Sequence, residues 1–220
     1  MNTIEKEITA LKKSLLKMFL LVENQWEKGT STVLDYDQDI AEEISSSENR
    51  INAQELKIDN DCENIIALHS PVAIDLRFIL STYKINHSLE HIADIAESIA
   101  KYVAESDISY DKEIMKKIKI YDMLDIFNSM MDNLIDAFEN EDPKTARKVF
   151  KKDKKLNKIN SNAHIIIIEN LNKYDNNMLL FLLSTIRKIE RAGDSLKKIG
   201  EEIIYHHEAK VIKHSKKIIK

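Results

Sequence analysis

Glycine and proline are almost missing from this chain, with 3 and 2 residues in 220 where ordinary usage would place about 15 and about 11. Tight turns depend on both, because glycine reaches left-handed backbone and proline pre-sets the first corner of a turn. A chain so poor in them runs in long uninterrupted elements. Apolar residues at alternating steps of three and four make those elements helices. Ile44, Ser47, Ile51, Gln54, Ile58, Cys62 and Ile65 form one such stripe, the one-sided face of a helix in a bundle. The chain is 43% hydrophobic, enough core for one elongated domain or two small ones.

Punctuation between the stripes predicts six helices. The first runs from about Thr3 to Lys28 and stops at Gly29, and the second covers about Ser31 to Leu68. Ser70 and Pro71 supply a cap and a first-turn proline for the third, which continues to about Ala104. The fourth fills about Ser109 to Phe138. Asp142 and Pro143 repeat the cap-plus-proline device for the fifth, and Asp175 caps the sixth, which reaches about Tyr205. Short connections force neighbours to pack antiparallel. The expected fold class is therefore all-α: two tandem three-helix bundles, residues 1–105 and 106–220.

Charge and motif content remove several functions. Lys and Arg number 33 against 37 Asp and Glu, a net charge of -4, so no global field draws nucleic acid and none is expected as a partner. Cys62 is the one cysteine, which excludes a disulfide framework and a cysteine zinc site, and it reads as core. No stretch approaches the ~18 apolar residues of a membrane span. Glu5, Lys6 and Glu7 interrupt any signal-peptide pattern, so a cytoplasmic location is expected, with membrane contact only through partners. Gly29, Gly193 and Gly200 stand alone, leaving no phosphate-cradling loop. Neither an ExxH step of di-iron bundles nor HExxH occurs, and no catalytic residue is assigned. The basic run from Lys144 to Lys158 reads as a solvated face.

The third and sixth helices resemble each other beyond their apolar period: LEHIADIAESIAKYV from Leu89 aligns with IERAGDSLKKIGEEI from Ile189. Ile85, Leu89, Ile92, Ala96, Ile99 and Val103 form the core stripe of the first copy; Ile189, Ala192, Leu196, Ile199 and Ile203 form that of the second. Beside each stripe lies a pair of acids one turn apart, Glu90 with Asp94 and Glu190 with Asp194. Paired carboxylates repel unless a cation bridges them, and hard oxygen ligands at this spacing suit a divalent metal. A lone ExxxD is weak evidence; its duplication in equivalent places is stronger. The middle helices offer further oxygens: Glu48, Asn52, Glu55 and Asp59 in the first half, Asp153, Asn157 and Asn160 in the second. Asp59 and Glu97, which lack matched partners, read as solvated face, and His87 and His91 as surface histidines outside the site.

SPVAIDLRFILSTYKI, LEHIADIAESIA, IERAGDSLKKIGEEIIY, the opening EITALKKSLLKM and INAQELKIDNDCENIIAL together resemble the PhoU family of phosphate-signalling regulators over essentially the whole chain. The resemblance implies two three-helix bundles bearing E(D)xxxD motifs that hold iron or zinc clusters, or manganese or magnesium. The ligands it carries over are Glu48, Glu90, Asp94, Asp153, Glu190 and Asp194. Asn52 and Asn157 stand where the family often has an acid, and His91 replaces the arginine that Arg191 retains. The implied role is negative regulation of phosphate uptake, linking subunits of a phosphate ABC transporter to a sensor histidine kinase, as a homodimer. A metal-free helical adaptor and a carboxylate-metal phosphohydrolase stay open as alternatives.

Overall fold

The computed structural model describes residues 3–35, 40–105 and 110–212. Its helices are α1 (Thr3–Asp35), α2 (Ile40–His69), α3 (Ala73–Ala104), α4 (Lys112–Lys117), α5 (Ile120–Glu139), α6 (Pro143–Ala146), α7 (Lys148–Glu169) and α8 (Asn176–Glu208). Six are long, as the sequence predicts; α4 and α6 are short segments split from the predicted fourth and fifth helices. Lys119, left-handed at φ 60°, makes the first break. The expected start of the fourth helix at Ser109 lies outside the described residues.

Two predicted boundaries are corrected. Gly29 does not end α1. The hydroxyls of Thr30 and Thr32 turn back onto the carbonyls of Trp26 (2.8 Å) and Gly29 (2.7 Å), so the polar run after the glycine continues the helix instead of leaving it. Gly29 serves a close approach: a Cβ there would stand 2.7 Å from the carbonyl oxygen of Ala96 on α3. Nor does Ser70 cap α3, whose cap is Val72 without a side-chain bond, because Ser70 itself is left-handed at φ 46°. The aspartate caps are as predicted: Asp142 accepts from the Lys144 N–H ahead of Pro143, and Asp175 accepts from the Met178 N–H at 2.8 Å.

Pairings fix the directions. Gln54 on α2 donates to the Ser14 carbonyl of α1 at 3.0 Å, while Lys28 meets Glu43 at 2.5 Å, so α1 and α2 are antiparallel. Asn86 on α3 donates to Asp59 at 2.9 Å and Cys62 lies against Ile79, which makes α2 and α3 antiparallel too. In the second half, Lys152 on α7 reaches Ser129 on α5, and Asp153 on α7 meets Lys197 on α8.

The halves join through α3 and α8, also antiparallel. Lys84 pairs with Glu202 (3.2 Å), His91 with Ser195 (3.2 Å) and Lys188 with Ser98 (2.7 Å), and these residues recur at heptad intervals on both helices. Trp26 of α1 stacks on Phe127 of α5 with ring centroids 3.8 Å apart. One apolar cluster, including Leu15, Phe19, Trp26, Leu89, Ile92, Phe127, Leu156, Phe181 and Leu196, runs through both halves. Every core-stripe residue named from the sequence in α3 and α8 is buried, so the acidic residues beside those stripes are carried to the groove edges.

Candidate metal centre

In the first half the acids of α2 and α3 face one another across the antiparallel pair. Glu48 is 6% exposed, an unusual place for a carboxylate. It is held there by Gln25 of α1, fully buried, whose amide donates to Glu48 Oε2 and to the Ala93 carbonyl. Glu48 Oε1 is buried and has no hydrogen-bond partner among the described residues. Burial raises the Glu48 carboxyl above its ordinary range; Gln25 opposes this, and the charges of Asp94 and Glu97 add to it. Glu90, half-buried, is pushed up to about 7, first by desolvation and then by Asp94, Glu55 and Glu48. Asp94 itself is exposed at the groove rim. A carboxylate raised by both burial and neighbouring acids is one that a cation would stabilise.

Two turns along α2 from Glu48 and one turn back along α3 from Glu90, Glu55 and Asp59 meet His87. His87 Nδ1 lies 2.9 Å from Glu55 Oε1, and its Nε2 lies 3.7 Å from Asp59 Oδ2. Among the described residues this is the trio of metal-ligating side chains whose ligand atoms all lie within 4.8 Å of one another. Asn86, fully buried, fixes the trio by donating to Asp59 Oδ1 and to the Glu55 carbonyl, while its own Oδ1 has no partner among the described residues. His87 is exposed, as the sequence suggests, and Asp59 half-buried; what the fold adds is that the two meet across the α2–α3 pair. Glu55 and Asp59 form an ExxxD of their own, a signal present in the sequence. His87 could be placed against it only once the α2–α3 register was known. His91, by contrast, turns to the α3–α8 seam and bonds Ser195.

The residues of the first half fit a divalent metal: a buried oxygen with no donor among the described residues, carboxyls raised by burial and then by neighbouring acids, and an imidazole among oxygens, donors suited to iron, zinc or manganese. The second half differs. Asp153 is 3% exposed and Glu190 is half-buried, and burial raises both carboxyls, with the neighbouring acids adding to the rise. Here, however, Lys197 enters the acidic set, its Nζ 3.0 Å from Asp153 Oδ2 and 4.0 Å from Asp194 Oδ1. Burial alone would lower the ammonium, yet Asp153 and Asp194 outweigh it and hold Lys197 above its ordinary range. Glu97 stands at the matching position of the first copy, where it pairs at 2.8 Å with Lys101 of its own helix, an exposed side chain.

No helix among the described residues is long and apolar enough to cross a membrane. Comparison with known proteins bears on the whole chain. A Thermotoga maritima protein named phosphate-specific transport system accessory protein PhoU homolog 1 is 27% identical over 217 residues, covering 95% of this chain and 90% of its own. The Escherichia coli phosphate-specific transport system accessory protein PhoU is 26% identical, covering 94% of this chain and 86% of its own. In fold, the chain is similar to the phosphate transport system regulatory protein PhoU from Streptococcus pneumoniae, with a TM-score of 0.84 at 23% identity over 95% of this chain and 99% of that one. PhoU from Pseudomonas aeruginosa gives the same TM-score of 0.84 at 24% identity, covering 94% and 100%. The PhoU domain model matches twice, at residues 15–103 and 120–203, once on each helical triplet, and the chain belongs to the PhoU family.

Proposed function

We propose that this chain is a regulator of phosphate transport that carries a divalent transition metal on the acidic groove between α2 and α3. The observation that supports the transport role is the repeated family match along the chain, together with relatives named as accessory proteins of phosphate-specific transport. Such proteins regulate rather than catalyse. The partners are the subunits of a phosphate ABC transporter and a sensor histidine kinase, met in the cytoplasm, with the chain acting as a homodimer.

Support for the metal comes from Glu48, whose buried Oε1 has no donor among the described residues, and from the convergence of Glu55, Asp59 and His87. Iron, zinc and manganese suit this mixed oxygen and nitrogen set better than magnesium, which prefers oxygen alone. Bound there, the ion would supply positive charge that ties α2 to α3. The chain's own residues do the rest: Gln25 holds Glu48 against α3, and Asn86 orients Asp59. The long rigid helices present broad faces to partner helices.

Complementation tests the transport role. In a strain lacking its own family member, this chain should restore repression of a phosphate-starvation reporter in phosphate-rich medium, and failure of well-expressed chain to do so refutes it. Elemental analysis of untagged protein tests the metal, which Glu90→Ala with Asp94→Ala should remove. A metal-free adaptor is the second reading, favoured by the direct contacts that His87 makes with Glu55 and Asp59. Co-purification of the transporter that persists after chelation would support it.

A further inference from the structure

The two halves of the repeat have opposite charge logic in the same groove. Superposing Leu89 on Ile189 sets His87 against Arg187 and Glu97 against Lys197. Matching Glu48 with Asp153, each buried beside the second acid of its ExxxD, sets Glu55 against Asn160 and Asp59 against His164. The structure bears out that second register independently: His87 meets Asp59 in the first half, and Arg187 donates to His164 at 3.3 Å in the second. At four equivalent places, then, an acid or imidazole of the first groove is replaced in the second by an amide, an imidazole or a permanent cation.

Lys197 is the decisive substitution. Its ammonium lies on Asp153, the buried acid, and within 4.0 Å of Asp194, so it supplies the positive charge these carboxylates lack. A divalent ion entering this groove would have to displace the ammonium and leave it beside the ion. In the first groove the equivalent side chain is the acid Glu97, whose cation is the exposed Lys101 of its own helix at 2.8 Å, and the buried Glu48 Oε1 has no donor among the described residues.

We propose that metal binding is confined to the first half of the repeat, and that in the second half Lys197 serves as an internal cation in the place a metal would take. This rests on the metal reading above and narrows it to one groove per chain. The second half then keeps a fixed α7–α8 geometry whatever the metal supply, while the α2–α3 pair responds to it.

Metal content and affinity decide the matter. Chelator-stripped full-length protein is titrated with Mn²⁺ and with Zn²⁺ by calorimetry, alongside elemental analysis of protein as purified. Wild type should bind in the first half only, so Glu90→Gln with Asp94→Asn should weaken binding at least tenfold, whereas Glu190→Gln with Asp194→Asn should leave both stoichiometry and affinity within twofold. Lys197→Glu, which gives the second groove the acid of the first, should add a new binding event. Should that variant fail to fold, the Glu190→Gln, Asp194→Asn pair decides alone. Loss of metal from that pair overturns the asymmetry and leaves the metal reading standing. A folded Lys197→Glu protein with no added binding likewise overturns it, and wild type that binds neither ion overturns both.

Discussion

Replacing Glu90 by Gln tests the electrostatics of the groove without relying on any bound ion. The Glu90 carboxyl, ordinarily near 4.5, sits at about 7 in the fold because it is desolvated and surrounded by Asp94, Glu55 and Glu48. The folded chain therefore holds this proton more tightly than the unfolded chain. Stability tied to the group is fully present below about pH 4.5 and is lost as pH rises through about 7. Full conversion of that displacement gives about 3 kcal/mol of cost at pH 8. The side chain is only half-buried, so solvent screening reduces the cost to about 1–2 kcal/mol. Gln resembles the protonated acid in shape and carries no charge, so Glu90→Gln in chelator at pH 8 should raise Tm by about 4 °C for a chain of this size. At pH 4, below both values, the two proteins should melt within about 1 °C of each other. Added Mn²⁺ should reverse the order at pH 8, stabilising wild type and not the variant. Thermal unfolding at both pH values gives the answer; a variant that is less stable than wild type at pH 8 without metal, or equally shifted at both, refutes the reasoning.

Other outcomes follow from packing. Gly29→Ala gains about 1 kcal/mol of helix propensity but forces a methyl to within 2.7 Å of the Ala96 backbone, so urea unfolding should show net destabilisation of about 1–3 kcal/mol; a more stable variant would mean that α1 and α3 are not this close. Trp26→Ala removes the ring stacked on Phe127 and should cost about 3–5 kcal/mol, with loss below about 1 kcal/mol showing that the halves do not join there. Lys119→Gly relieves a left-handed lysine at φ 60° between α4 and α5 and should stabilise by about 1 kcal/mol in the same assay, whereas destabilisation would contradict the observed backbone.

Much of this protein was legible in the chain itself. The scarcity of glycine and proline and the three-four apolar step dictate long amphipathic helices, because local backbone freedom and one-sided burial are properties of neighbouring residues. Asp142 and Asp175 mark helix starts for the same local reason, and the repeat in α3 and α8 exposed the paired acids at Glu90 and Glu190. Only tertiary structure decided the rest. Gly29 looked like a stop until Ala96 was seen pressed against it, and Lys119 broke a helix that its sequence would have continued. His87 joined Glu55 and Asp59, and Lys197 settled on Asp153, through the register in which antiparallel helices pack. Spacing along one helix fixes which side chains share its face, but which face of a neighbour they meet is set by burial over the whole core, and that information is spread across the entire chain.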